Sequence, residues 1–278
     1  METLSYHCDD GVATLVLNRP QSKNALDATM TRELDELLVR ITRDEALRCL
    51  VITGAGGAFC AGGDVRLMNQ DAGQSPEQRR THMRQAHRIV KALHALDRPV
   101  IAAVDGPAFG AGFSIALLAD IILASDRARF CMAFGRIGLV PDYGSLYTLP
   151  RAVGLQRARE IMFSARDIGA QEAKELGIAL EVIPHEDLMA RAMAMARAIA
   201  NASPTAIAMT KDALQSSLQS SLDSVLELEA AAQATAFPAL TPRRHSAASP
   251  TRSPRDSSGP KRCDRTEQQL RLGRLHQR

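Results

Sequence analysis

Two glycine-rich turns in this chain could do chemistry with their backbones. One reads Gly106-Pro-Ala-Phe-Gly-Ala-Gly-Phe-Ser-Ile-Ala-Leu-Leu-Ala-Asp120; it follows the apolar run Val100–Val104 and opens a predicted helix over residues 110–119. The other reads Gly54-Ala-Gly-Gly-Ala-Phe-Cys-Ala-Gly-Gly-Asp64 and follows an apolar run at 48–53. Small residues let a ligand approach the main chain, and the first N–H groups of a helix have no partner inside it. Two such N–H groups aimed at one point stabilise negative charge as it forms on oxygen. Either turn alone reads first as tight strand–helix packing; the pair makes an anion-stabilising site a candidate.

Competing chemistries lack their residues. Gly54-Ala55-Gly56 begins a dinucleotide fingerprint, but the third glycine position holds Phe59. There is no phosphate loop ending in Gly-Lys-Ser/Thr and no Gly-x-Ser-x-Gly elbow. His82, His87 and His94 share one predicted helix and read as helix-surface histidines rather than metal ligands, so no metal is expected. The five cysteines (Cys8, Cys49, Cys60, Cys131, Cys263) are scattered without Cys-x-x-Cys, which suits a reduced, cytoplasmic protein.

Composition gives the frame. A chain of 278 residues with 45% hydrophobic content can bury a substantial core. Residues 1–237 hold 24 Lys and Arg against 28 Asp and Glu, whereas 238–278 hold 10 against 3. The body is therefore mildly acidic and gives no electrostatic case for nucleic acid. No apolar run is long enough for a membrane span.

Apolar runs at 4–8 and 12–17 flank Asp9-Asp10-Gly11, a hairpin signal. Asp27 is placed to cap a helix to about residue 41, with Met30, Leu34, Leu37, Leu38 and Ile41 on one face. A polar stretch at 69–77 precedes a helix over 77–96; strands are predicted at 100–104, 120–124 and 180–183. Residues 130–137 are ambiguous and 138–144 form a loop. Helices follow at about 145–152, 155–163, 170–176, 186–201, 204–219 and 221–236. Strands alternating with helices argue an α/β architecture. The Pro-, Ser- and Arg-rich tail from Pro238 has too little apolar surface to fold alone.

Several segments together are similar to the enoyl-CoA hydratase/isomerase (crotonase) superfamily, collinearly over about residues 4–237. They are Asn18-Arg19-Pro20 with Lys23-Asn24-Ala25-Leu26, Ala58-Phe-Cys-Ala-Gly-Gly-Asp64, Arg98-Pro-Val-Ile-Ala-Ala-Val-Asp-Gly106 and Gly110-Ala-Gly112 through Asp120. Gly138-Leu-Val-Pro-Asp-Tyr-Gly144, Leu149-Pro-Arg-Ala-Val-Gly154 and Ala170-Gln-Glu-Ala-Lys-Glu-Leu-Gly177 agree. The resemblance implies a spiral of β-β-α units over 1–183, a helical trimerisation region over 184–237, and a trimer or a dimer of trimers. It implies an acyl-CoA thioester as ligand, with no cofactor beyond the coenzyme A of the substrate. Gly63 and Ala111 match the two oxyanion N–H donors; Lys23, Ala25, Ala61, Gly62, Asp64 and Gly110 fall where the family lines the coenzyme A path.

The chain also departs from the family. The two hydratase glutamates are matched by Ser114 and Phe134, neither of which is a carboxylate base. Asp142, in Pro141-Asp142-Tyr143-Gly144, matches the acting aspartate of isomerases and a dehalogenase in the superfamily; in Pro-Asp-Tyr-Gly it also reads as a turn former. An aspartate in an apolar pocket takes a raised pKa and can move a proton from one carbon to another, shifting a double bond. The expectation is an acyl-CoA double-bond isomerase with Asp142 as base. A hydratase with atypical water activation, or an acyl-CoA-binding protein without turnover, are the alternatives. The tail reads either as disordered or as a shift of reading frame.

Overall fold

Asp10 and Gly11, at φ 46° and 77°, turn the chain between β1 (Leu4–Asp9) and β2 (Val12–Leu17), as the Asp-Gly signal requires. These two strands pair antiparallel at the edge of a six-stranded sheet ordered β1-β2-β3-β4-β6-β9, in which every later pairing is parallel. Its other strands are β3 (Cys49–Gly54), β4 (Val100–Val104), β6 (Ile121–Ser125) and β9 (Glu181–Ile183). A parallel sheet is covered on both faces, and so its strands read as continuous apolar runs. All five residues of β4 are buried.

The period-two alternation of the strands divides these residues between two cores. Leu15, Leu50, Ile52, Ala102 and Val104 share a core with α1 (Ala28–Thr42) and α3 (Pro76–His94), through Met30, Leu34, Leu37, Leu38, Ile89 and Leu93. Cys49, Val51, Ile101, Ala103 and Leu123 face the other way onto Leu188, Ala192 and Ala196 of α8 (Leu188–Ala200). The first helix of the predicted C-terminal helical region thus covers a face of the sheet.

A second sheet of short strands carries the spiral. β5 (Pro107–Phe109) pairs parallel with β7 (Arg129–Cys131), which pairs antiparallel with β8 (Ile168–Gly169). The chain passes from β4 directly into β5 and then into α4 (Ala111–Ala116), one β-β-α unit; β6 and β7 repeat the two-strand step. α4 is shorter than the helix predicted over 110–119. The ambiguous stretch at 130–137 resolves into the end of β7 and a 3-10 turn, Ala133–Ile137. The remaining helices are α2 (Val65–Gln70), α5 (Ser145–Val153), α6 (Leu155–Ser164), α7 (Ala170–Glu175), α9 (Pro204–Ser217) and α10 (Leu222–Ala236).

α9 and α10 pack against each other and contain no buried residue. Lys211 Nζ anchors α9 by donating to Asp120 Oδ2 at 2.7 Å and to the Arg98 carbonyl at 3.1 Å. The computed structural model describes residues 1–70 and 73–237, all within one compact unit. The predicted tail at 238–278 lies outside the described residues. Among those described, no helix is long and apolar enough to cross a membrane.

Candidate active site

The two glycine-rich turns interlock. Phe59 and Cys60 N–H both donate to the Pro107 carbonyl, and the Phe109 N–H donates back to the Cys60 carbonyl at 2.9 Å. Contact this close leaves no room for side chains. A Cβ on Gly112 would sit 2.2 Å from the Cys60 carbonyl oxygen. Gly62, at φ +95°, would place one 2.8 Å from the Phe109 carbonyl oxygen and 3.5 Å from the Ala111 nitrogen. The Gly62 and Ala111 backbones are therefore neighbours.

The first turn is also held from outside. The fully buried Asn24 side chain donates to the Ala55 and Ala58 carbonyls (2.8 and 2.7 Å) and accepts from the Arg19 N–H at 2.8 Å. The Leu26 N–H donates to the Gly62 carbonyl, and the Asp64 N–H donates to the Leu26 carbonyl, so 61–64 lie beside 23–26 like a short strand pair. Arg19 bridges Asp27 (3.2 Å) and Asp64 (3.3 Å). Leu26 and Asp64 are thereby aligned while the Gly63 N–H is left over. Among the described residues, neither the Gly63 nor the Ala111 N–H donates a hydrogen bond to the protein.

Both residues line a cavity of about 770 Å3. Ala61, Gly62, Asp64 and Gly110 line it too, as do Phe134, Asp142 and Tyr143. Lys23 and Ala25 do not. Lys23 is exposed, in a left-handed conformation at φ 50°, and its carbonyl accepts from the Ala61 N–H; the Ala25 carbonyl accepts from Arg19 Nη1. The cavity walls come from faces that the sequence reading did not assign: Thr31 and Arg32 of α1, Val65 and Leu67 of α2. α3, the predicted long helix, adds His82, Met83 and Ala86.

Asp142 enters this cavity from a strained turn. Tyr143 and Gly144 both have positive φ, 49° and 81°, a costly geometry for the aromatic residue and an easy one for glycine. The turn brings Ser145 back, so that its N–H and hydroxyl both donate to the Asp142 carbonyl, at 3.1 and 2.9 Å. This fixes the backbone of Asp142 but gives its carboxyl group nothing. Oδ1 is buried without a hydrogen-bond partner, and burial alone pushes the carboxyl pKa up to about 6.

Other reactive groups nearby are muted. Ser114 is fully buried on α4, and its hydroxyl donates to the Gly110 carbonyl at 3.2 Å. Cys60 is buried between the turns, and burial pushes its thiol up to about 12, far from a nucleophile. Burial is also the main reason that the Tyr143 phenol is pushed up to about 12. Phe134 is 6% exposed, with its ring tip 3.8 Å from where a Cβ on Gly110 would lie. Among the described residues, no three His, Cys, Asp or Glu side chains converge as a metal site.

The arrangement can hold an oxyanion on two backbone N–H groups and move a proton with one carboxylate. Comparison with known proteins gives the family. Residues 7–246 match the family model described as enoyl-CoA hydratase/isomerase. The 1,2-epoxyphenylacetyl-CoA isomerase of Escherichia coli (strain K12) is 37% identical over 77% of this chain and 82% of its own length. A probable enoyl-CoA hydratase of Rhodobacter capsulatus is 41% identical over 66% of this chain and 70% of its own. The solved enoyl-CoA hydratase/isomerase of Cupriavidus metallidurans CH34 superposes with a TM-score of 0.81 at 46% identity, covering 85% of this chain and 89% of that one. The α/β fold of crotonase type is thus shared well beyond the motifs, and the chain belongs to the enoyl-CoA hydratase/isomerase family.

Proposed function

We propose that this enzyme moves a carbon–carbon double bond in an acyl-CoA thioester. In this reading the Gly63 and Ala111 N–H groups hold the thioester oxygen. Asp142 takes a proton from the α-carbon as negative charge passes onto that oxygen, and returns a proton to the γ-carbon. Ala61, Gly62, Asp64 and Gly110 frame the path of the thioester, and exposed Lys23 on the adjoining turn pairs with a coenzyme A phosphate. No cofactor beyond the substrate's own coenzyme A is needed, because proton transfer and enolate stabilisation use only these groups. The exposed leucines of α9, its C-cap and α10, Leu214, Leu218, Leu222 and Leu226, support self-association as a trimer or hexamer.

The observation that carries this reading is the unpartnered, buried Oδ1 of Asp142 in the cavity that the two free N–H groups line. A carboxyl group with a pKa of about 6 is mostly ionised at neutral pH, and its conjugate acid is strong enough to give the proton back. Ser114, with its hydroxyl committed to Gly110, offers no second base for activating water.

The test offers 3-enoyl-CoA and 2-enoyl-CoA to the wild type and to Asp142→Ala. The wild type is expected to interconvert the two, and the variant to lose turnover by roughly 10²–10⁴-fold with little change in KM. Isomerisation that survives the substitution, or hydration as the sole wild-type reaction, would overturn the assignment. Tight binding of both esters without turnover would mark an acyl-CoA-binding protein instead.

A further inference from the structure

A proton held on a carboxyl group exchanges readily with any water that reaches it. A base that must return its proton to a second carbon therefore depends on what keeps water out. The segment that delivers Asp142 also carries Phe134. The 3-10 turn Ala133–Ile137 and the following loop are closed by the Leu139 N–H donating to the Phe134 carbonyl at 3.0 Å. Both side chains line the same cavity, with Leu139 and Tyr143 beside them. The Phe134 ring abuts Gly110, the residue before the Ala111 N–H, with two ring atoms 3.8 and 3.9 Å from a Cβ position on that glycine. Ser114, one turn further along α4, directs its hydroxyl to the Gly110 carbonyl, is fully buried and is not part of the cavity lining.

We propose that Phe134 is a positioning residue that walls water away from Asp142, so that the proton taken from the α-carbon is the one handed to the γ-carbon. The inference rests on the isomerase reading above. In the first step Asp142 removes the α-proton; the C–H electron pair forms the new α-carbon bond to the thioester carbon, and the carbonyl π pair moves onto oxygen. In the second step that pair returns, the α,β double bond forms, and the β,γ π pair takes the proton back from Asp142 at the γ-carbon. Nothing is gained or lost overall. Addition of water at the β-carbon is suppressed because neither Phe134 nor Ser114 is a base that could activate a water there.

An α-dideuterated 3-enoyl-CoA, turned over once in ordinary water, reads this directly by mass spectrometry of the γ-carbon. The wild type is expected to carry most of the label across. Phe134→Ala should raise the ratio of washed-out to transferred label by about tenfold, and should add water to the 2-enoyl product at a measurable rate. Phe134→Leu, which keeps apolar bulk, should transfer label like the wild type. A phenylalanine that served packing alone would slow turnover and leave the partition of label unchanged, and that result in Phe134→Ala would overturn the inference. Complete washout by the wild type would overturn it too, and needs no variant to fold. A wild type that does not isomerise at all would remove the parent reading, and this one with it.

Discussion

The two sides of the cavity are built on opposite principles. On one side the turns at 54–64 and 106–112 present backbone: Gly62 and Gly112 permit the close approach, the Asn24 side chain and a short strand-like bridge fix it, and among the described residues two N–H groups remain unbonded. On the other side the segment at 133–144 uses side chains, and it places a phenylalanine and an isolated carboxyl group on a strained loop. Under the proposed function the first side stabilises charge on a thioester oxygen, and the second decides what happens to the proton. On that reading, replacing a few side chains on the second side changes the chemistry while the first side is kept.

The largest effect that would break this division comes from the backbone side. Ala111→Pro removes one N–H and sets a ring methylene where that hydrogen pointed; the helix tolerates it, because proline is accepted at the first helical position and Gly110 before it, at ψ −122°, is not helical. Turnover should fall by at least about 10²–10³-fold, the usual loss for one oxyanion donor, and substrate affinity should fall with it because the ring methylene crowds the oxygen. Steady-state kinetics on 3-enoyl-CoA would measure it. A variant as active as the wild type would place the oxyanion elsewhere.

On the side-chain side the expected effect is a pH dependence. Asp142 must be ionised to act as base. With its pKa raised to about 6 by burial, kcat/KM should be flat above about pH 7 and fall about tenfold for each pH unit below 6. The limb should vanish from the residual activity of Asp142→Ala. A midpoint near 4 would show a solvated or hydrogen-bonded carboxyl group, against the isolated Oδ1 seen here.

The same contrast governs what could be read from the residues. The backbone side was legible because close contact demands glycine and continuous burial demands apolar runs: 100–104 and 48–53 were recognisable as strands, and the hairpin at Asp9-Asp10-Gly11 fell where expected. The short strands at Pro107–Phe109 and Arg129–Cys131 escaped, since three residues are too few to show a period of two. α2 was missed because its beginning, Val65-Arg-Leu67, runs into a polar stretch. On the side-chain side the residue types at 114, 134 and 142 were visible, but their environments were not. Nothing local says that the Ser114 hydroxyl is taken by the Gly110 carbonyl, or that Asp142 Oδ1 is left alone. Arg19, which ties Asp27 to Asp64 across the cavity edge, was part of a motif but had no predicted role; its partners lie 8 and 45 positions away. Lys23 and Ala25 stand outside the cavity lining: the Lys23 carbonyl faces the Ala61 N–H while its side chain is exposed, and the Ala25 carbonyl is taken by Arg19.

The smallest effect sharpens the second side without any substrate. A carboxyl group whose pKa is higher folded than unfolded binds its proton more tightly in the native state. Its contribution to stability is therefore fully present below the unfolded value of 3.8 and is lost as pH rises through about 6. Above that window the wild type carries a buried, unpartnered carboxylate. Asparagine in its place cannot ionise. Asp142→Asn should gain about 2 kcal/mol relative to the wild type between pH 4 and pH 7, allowing for the partial exposure of the site, or several degrees in Tm. Differential scanning calorimetry of both proteins at the two pH values isolates this gain from any change in packing, because the packing difference is common to both. An equal difference at pH 4 and pH 7 would mean that the carboxylate has found a partner when ionised, and Asp142 would then be held by the fold rather than left free to act on a substrate.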